Sequence, residues 1–271
     1  MFSKRCNLKD SSTILYKYEK QIATITLNRP EVHNAIDFDM WVEIKGIVDD
    51  ISQNSEIKVV IFNGSGGKAF SSGADIKDFP KHRKNKKQAI EYAKAFEGTL
   101  DAIAAMPQPT IAMIQGICAG GGCELAMMTD IRIAGTGSSF SIPVAKIGVL
   151  LGYKEMRRLV QLVGPSNASY LLLSAKVIDE DEAFSMGLIN EIVSSGILDT
   201  RVISLANTMA EFAPLTQSGN KRVLQTVLAN PNLENLSKEQ RDFPLDIFET
   251  LDSQEGYQAF IEKRKPHFKG R

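Results

Sequence analysis

Three consecutive glycines, Gly120-Gly121-Gly122, stand between an apolar run from Thr110 to Ile117 and a helix-like segment from Gly121 to Met128. A strand that runs through bare backbone directly into a helix is a feature of α/β architecture, and it constrains this chain more than any other stretch. The same order occurs earlier. From Asp37 to Ile51 the residues Met40, Trp41, Ile44, Ile47, Val48 and Ile51 recur at helical spacing, with Asp37 as a natural N-cap. Lys58 to Phe62 then reads as a strand buried on both faces, and Asn63-Gly64-Ser65-Gly66-Gly67 ends it. Upstream, Ile14 to Leu27 alternates around Glu19-Lys20-Gln21 and predicts a hairpin, closed by Asn28-Arg29-Pro30. Downstream, Ala89 to Met106 predicts a helix and Asp130 to Ala134 a strand. After Asp179 only Ile189 to Val193 reads as a strand, and Asp199 to Leu228 reads as helix interrupted at Pro214. The expected fold class is α/β with a largely helical C-terminal part, and no low-complexity linker separates two independent domains.

Composition narrows the partners. The chain has 271 residues, enough for one large domain with an appendage, and its acidic and basic residues balance at 32 each. That balance removes any global argument for nucleic acid or an anionic membrane. Cys6, Cys118 and Cys123 are an odd number and have no metal-ligand spacing with the histidines, so a reducing compartment and no metal are expected. Met1 to Ser12 lacks the apolar run of a secretory signal, and no stretch reaches the ~20 apolar residues of a membrane span. A soluble, cytoplasmic protein is the expectation, although Lys4 and Arg5 leave room for a degenerate targeting segment.

Two glycine-rich turns bear on chemistry: Phe70-Ser71-Ser72-Gly73-Ala74-Asp75-Ile76-Lys77 and Gly116 to Glu124. Glycines before a helix leave N–H groups unshielded at its positive end, which suits an oxygen that gains negative charge. Equally, such glycines let a strand and a helix pack closely, and the triplet alone does not separate the two readings.

Ile25-Thr26-Leu27-Asn28-Arg29-Pro30, Asn34-Ala35, Ala69 to Lys77, Ala119 to Met127 with Asp130, Gly187-Leu188-Ile189-Asn190 and Glu262 to Phe268 occur in an order and spacing that resemble the crotonase (enoyl-CoA hydratase/isomerase) superfamily. The resemblance runs from about Ile22 to the C-terminus. It implies a crotonase-like ββα spiral core over residues 1–205 and a C-terminal helical trimerisation region over 206–271. It also implies an acyl-CoA thioester as substrate, with coenzyme A entering as part of it and no permanently bound cofactor. By the same resemblance the N–H groups of Ala74 and Gly121 form an oxyanion hole for the thioester oxygen. Asp75, Ile76, Lys77 and Val144 would line the substrate, Lys68, Phe70 and Ser72 the coenzyme A path, and Lys265 and Phe268 would reach coenzyme A in an adjacent subunit of a trimer or dimer of trimers.

Glu124 matches the first of the two glutamates that hydratases of the family use to position and activate water; the alternative is a helix-terminal Glu that complements the dipole. In those hydratases a second glutamate follows the proline of the next loop, where this chain has Pro143-Val144. Valine moves no proton, so two-glutamate hydration is in question here. Tyr153 and Glu155 lie where typical hydratases carry a small glycine-rich turn, in a loop expected from Leu150 to Arg158. Either could face the acyl group; otherwise Tyr153 is a packed aromatic and Glu155 a solvent-facing partner of Arg158. Phe79, Phe96, Ile142 and Leu150 are the expected pocket walls. The basic run Lys81 to Lys87 reads as a solvated face or a coenzyme A contact, and lacks the interleaved aromatics of an RNA site. The leading function is an enoyl-CoA hydratase-like lyase. Isomerisation or decarboxylation on the same enolate is the first alternative, favoured by Val144, and a non-catalytic acyl-CoA- or RNA-binding homologue the second.

Overall fold

The computed structural model describes residues 13–271; Lys4, Arg5 and Cys6, with the rest of the leader, lie outside the described residues. Strands β1 (Ile14–Glu19) and β2 (Ile22–Leu27) form the expected antiparallel hairpin. Its turn places Lys20 and Gln21 at φ 49° and 68°. Two successive left-handed residues give the backbone twist that matches paired strands, here without the usual Asn or Gly. Helix α1 (Phe38–Ser52) is capped by Asp37, whose side chain accepts from Met40 N at 2.9 Å. It buries Met40, Trp41, Ile44, Val48 and Ile51, the face read from the sequence.

From there the chain repeats one move three times. Strand β3 (Val59–Gly64) is followed by β4 (Ala69–Ser71), and the helices α2 (Phe79–His82) and α3 (Lys86–Ala105) come next. Strand β5 (Thr110–Ile114) is followed by β6 (Ile117–Ala119) and helix α4 (Gly121–Met128). Strand β7 (Ile131–Gly135) is followed by β8 (Ser139–Ser141), then α5 (Val144–Ile147) and α6 (Tyr153–Ser174). The first strand of each pair enters a six-stranded sheet and the second a four-stranded one. With β9 (Ile178–Asp179), α7 (Glu180–Ser185) and β10 (Glu191–Val193), the sheet orders are β1-β2-β3-β5-β7-β10 and β4-β6-β8-β9.

The single strand expected from Thr110 to Ile117 is therefore two strands in different sheets. Gly116 makes the step at φ +71°, where any side chain would collide with the Lys68 carbonyl oxygen. The loop expected from Leu150 to Arg158 is also revised, since α6 begins at Tyr153. That helix breaks at Gly164 (φ 75°, ψ 165°), just before Pro165.

Helix α4 packs against β4 and β6 of the small sheet and against α3 and α6, and is buried along its whole length. The main core joins it to α1, α3 and both sheets through residues such as Trp41, Phe62, Phe70, Leu125 and Phe140. A second core covers the other face of the large sheet, where Leu198, Val202 and Ala206 of α8 (Leu198–Ala210) pack on Val59, Ile61, Ile111 and Ile133. A boundary after residue 205 thus cuts through a core helix, and the chain leaves the core only after Ala210. Helices α9 (Pro214–Ala229), α10 (Lys238–Asp246) and α11 (Leu251–Ile261) complete the fold. The tail after α11 is held by Asp252, which accepts from Lys269 N and Gly270 N at 2.7 Å each. Among the described residues no helix is long and apolar enough to cross a membrane.

Candidate active site

Strands β4, β6 and β8 are parallel neighbours, so their C-terminal ends lie along one edge of the small sheet. Ala74, Gly121 and Val144 each follow one of these ends by two or three residues, and all three line one cavity of about 240 Å³. Topology alone brings these sequence-distant positions together.

The Ala74 segment is fixed from both sides. Ile36 N donates to Gly73 O at 2.8 Å and Asp75 N donates to Ile36 O at 2.9 Å, which leaves the N–H of Ala74 out of the pairing. Gly121 opens α4, and its N–H precedes the first helical bond, Glu124 N to Gly120 O at 2.9 Å. Among the described residues neither N–H donates a hydrogen bond. They are close neighbours, since a Cβ on Gly121 would stand 3.4 Å from Ala74 N and one on Gly73 would stand 3.1 Å from Gly121 N. Gly73 (φ +100°) and Gly120 (φ 46°, ψ −127°), the residues before these two N–H groups, hold left-handed conformations that favour glycine. Two free donors at a helix N-terminus favour an oxygen that carries negative charge.

Glu124 lies one turn into α4, lines the same cavity and is 7 % exposed. Burial pushes its carboxyl up to about 8; Glu155 adds repulsion and Arg83 opposes the shift. Glu155, 1 % exposed, also lines the cavity, and its Oε1 has no hydrogen-bond partner. Its carboxyl is raised as well, chiefly by burial. The alternative in which Glu155 pairs with Arg158 in solvent does not hold, because Arg158 donates instead to Met127 O at 2.7 Å and Thr129 O at 3.3 Å.

Arg83, inconspicuous among lysines in the sequence, is the cavity's cation. Its guanidinium stacks over Tyr92 at 3.9 Å and Phe79 at 4.7 Å from the ring centroids. Tyr92 is in turn held by Trp41 Nε1, which donates to its hydroxyl at 2.9 Å. No periodicity singles out this arginine; only the aromatic pair that orients it does.

Other expected residues are distributed unevenly. Ser72, Ile76, Phe79, Phe96 and Leu150 line the cavity, whereas Ile142 is core. Asp75 turns away to Arg29 at 3.0 Å and caps the 76–78 turn through Lys77 N. Lys77 is exposed outside the cavity. Tyr153 is 96 % exposed, neither a packed aromatic nor a cavity residue. Phe70 is a core side chain, so only its backbone is offered to a ligand, while Lys68 is exposed. Lys265 pairs with Glu211 at 2.7 Å and Phe268 packs at Gly256, both away from the cavity. Cys118 and Cys123 are buried free thiols. Among the described residues no cluster of His, Cys, Asp and Glu is arranged to hold a metal ion.

The model of the enoyl-CoA hydratase/isomerase family matches residues 17–271. The chain belongs to that family. Among curated members it is 35 % identical over 255 residues to the crotonyl-CoA hydratase of Syntrophomonas wolfei, covering 94 % of this chain and 97 % of that one. It is 32 % identical over 256 residues to the short-chain-enoyl-CoA hydratase of Clostridium acetobutylicum, covering 94 % and 96 %. A crystal structure of an enoyl-CoA hydratase/carnithine racemase from Magnetospirillum magneticum has a TM-score of 0.92 at 37 % identity, over 96 % of each chain. Family membership makes the chain an enzyme, and its architecture is the crotonase-like spiral with a C-terminal helical region.

Proposed function

We propose that this chain is a lyase of the enoyl-CoA hydratase type, adding water to the double bond of an enoyl-CoA thioester. The observation that carries this reading is the convergence of two unbonded N–H groups, Ala74 and Gly121, with the buried carboxyl of Glu124 on one cavity. In this reading the two donors form an oxyanion hole for the thioester oxygen, worth about 3 kcal/mol of transition-state stabilisation per donor. They act where charge develops, because attack at Cβ drives the electron pair onto that oxygen as an enolate. Glu124 exchanges protons with water or substrate.

A cavity of about 240 Å³ has room for an acyl group and thioester but not for a whole coenzyme A ester. The nucleotide and pantetheine then follow the exposed edge at Lys68 and Ser72, past the backbone of Phe70. Lys265 and Phe268, remote from this cavity, act on a neighbouring subunit's ligand in a trimer or dimer of trimers. In this reading the compartment is the cytoplasm, no cofactor is bound permanently, and coenzyme A enters and leaves as part of the substrate.

A second reading, double-bond migration, draws on Val144, which brings only hydrocarbon to the cavity where the family's hydratases place an acid. The test is loss of enoyl-thioester absorbance with crotonyl-CoA. Rapid loss in wild type, with Glu124→Gln slower by about 10² to 10⁴, is expected. Failure of wild type to consume crotonyl-CoA, with turnover of a 3-enoyl thioester, overturns hydration in favour of migration.

A further inference from the structure

Hydration needs two proton events on the acyl chain, one at water and one at Cα, and Val144 performs neither. The cavity nevertheless contains a second carboxyl. Glu155 arrives from α6 rather than from the turn after β8, is almost completely buried, and leaves Oε1 without a partner beside the cavity that Glu124 also lines. A buried carboxylate oxygen without a donor is costly in a folded protein, and such costs concentrate where chemistry is done. Its setting is specific. Gly152, the N-cap of α6, is the residue that makes room, since a Cβ there would overlap Glu155 Oε2.

We propose that Glu155 acts with Glu124 as the second acid–base carboxylate of this reaction, in the place left by Val144. The inference rests on the proposed hydration and adds the missing proton-handling group. Burial raises both carboxyls and Glu155 disfavours ionisation of Glu124; the proposed step starts with one proton on the pair. The charged and titratable groups around them are Arg83 and Tyr92 facing Glu124, and Glu97, Asp101 and Lys154 facing Glu155.

The step balances. The ionised member takes a proton from water as the water oxygen bonds to Cβ. The π electrons of the double bond pass to the thioester as an enolate, and the enolate pair then forms the Cα–H bond with the proton of the other member. H and OH are added to the substrate, and the pair again holds one proton. Arg83, fixed over Phe79 and Tyr92, offsets the pair's negative charge without donating a proton.

The experiment compares wild type with Glu155→Gln and Glu155→Asp in crotonyl-CoA hydration, in exchange of the butyryl-CoA α-protons in D₂O, in butyryl-CoA affinity and in thermal melting. Glu155→Gln is expected to slow hydration and exchange by about 10² or more, to lose one limb of the kcat/KM pH profile, and to keep affinity and melting temperature, with partial rescue by Asp. Hydration and exchange within about threefold of wild type in Glu155→Gln overturn the proposal. So does loss of affinity or stability in step with activity and without rescue by Asp, since that marks a helix cap. Glu155-dependent exchange without hydration in wild type overturns the hydratase reading and keeps Glu155 only as a proton-handling group at Cα, whereas normal hydration in Glu155→Gln overturns this proposal and leaves the hydratase reading standing. Absence of both reactions in wild type overturns both.

Discussion

Gly152→Ala separates the chemistry of the site from the stability of the fold. Gly152 has φ −69° and ψ 162°, a conformation open to alanine without backbone strain. Its added Cβ would overlap Glu155 Oε2, 3.3 Å from Cδ and 3.8 Å from Oε1. Ordinary contact begins at 3.4 Å, so the carboxyl has to withdraw by about 1 Å. The displaced atom ends a flexible side chain, so the fold gives little. Alanine is a poorer N-cap than glycine by ~0.5 kcal/mol or more, and the loss of freedom in the unfolded chain returns ~0.4 to 1 kcal/mol. Net stability should change by no more than about 0.5 kcal/mol, which denaturant unfolding measures directly. A misplacement of about 1 Å at a reacting group costs on the order of 10² in rate, so crotonyl-CoA kcat/KM should fall by that factor. Combined with Glu155→Gln the alanine should add almost nothing, because both changes remove the same contribution. Wild-type activity in Gly152→Ala, or additive losses in the double variant, would refute the reasoning.

Three further outcomes follow from the same contacts. Glu124 is neutral when folded up to about pH 8 but ionises near 4.5 when unfolded, so its contribution to stability is complete below pH 4.5 and is lost as pH rises to 8. Wild type should lose on the order of 4 kcal/mol across that window relative to Glu124→Gln, and equal pH dependence of unfolding in the two would contradict the burial argument. Tyr92→Phe leaves the buried Trp41 Nε1 without its 2.9 Å acceptor and should cost ~1 to 3 kcal/mol in urea unfolding. Asp252→Asn removes one of the two acceptors for Lys269 N and Gly270 N and takes the charge from the other, so amide exchange at those positions should accelerate at least ~10-fold while α1 is unaffected.

The parts of the fold legible in the sequence are those whose signal is local. The 3.6-residue period and Asp37 cap define α1, and alternation defines the hairpin even though its Lys20-Gln21 turn lacks the usual residues. Strands β4 and β8, three residues each, are too short for any period, and Gly116, one residue inside an apolar run, moves the chain from one sheet to the other. At the site, Ala74 and Gly121 were reachable through motif order, because the role proposed for them belongs to backbone. Glu155 and Tyr153 looked equivalent along the chain. Only the packing of α6 against α4 and the open Cα of Gly152 turn one inward and the other to solvent. Arg83 was hidden for the same reason.

The threefold recurrence of paired strands divides the work by type of atom. Two turns of the spiral present main-chain N–H groups, which no point mutation short of proline deletes, and the third presents a side chain. Change therefore has an inexpensive and a forbidden direction. On the proposed mechanism, exchanging the residue at 144, or lending a carboxyl from the neighbouring helix, alters where protons go while the two main-chain donors are retained. On such a scaffold a single side-chain exchange can redirect the protons without rebuilding the backbone that positions the donors.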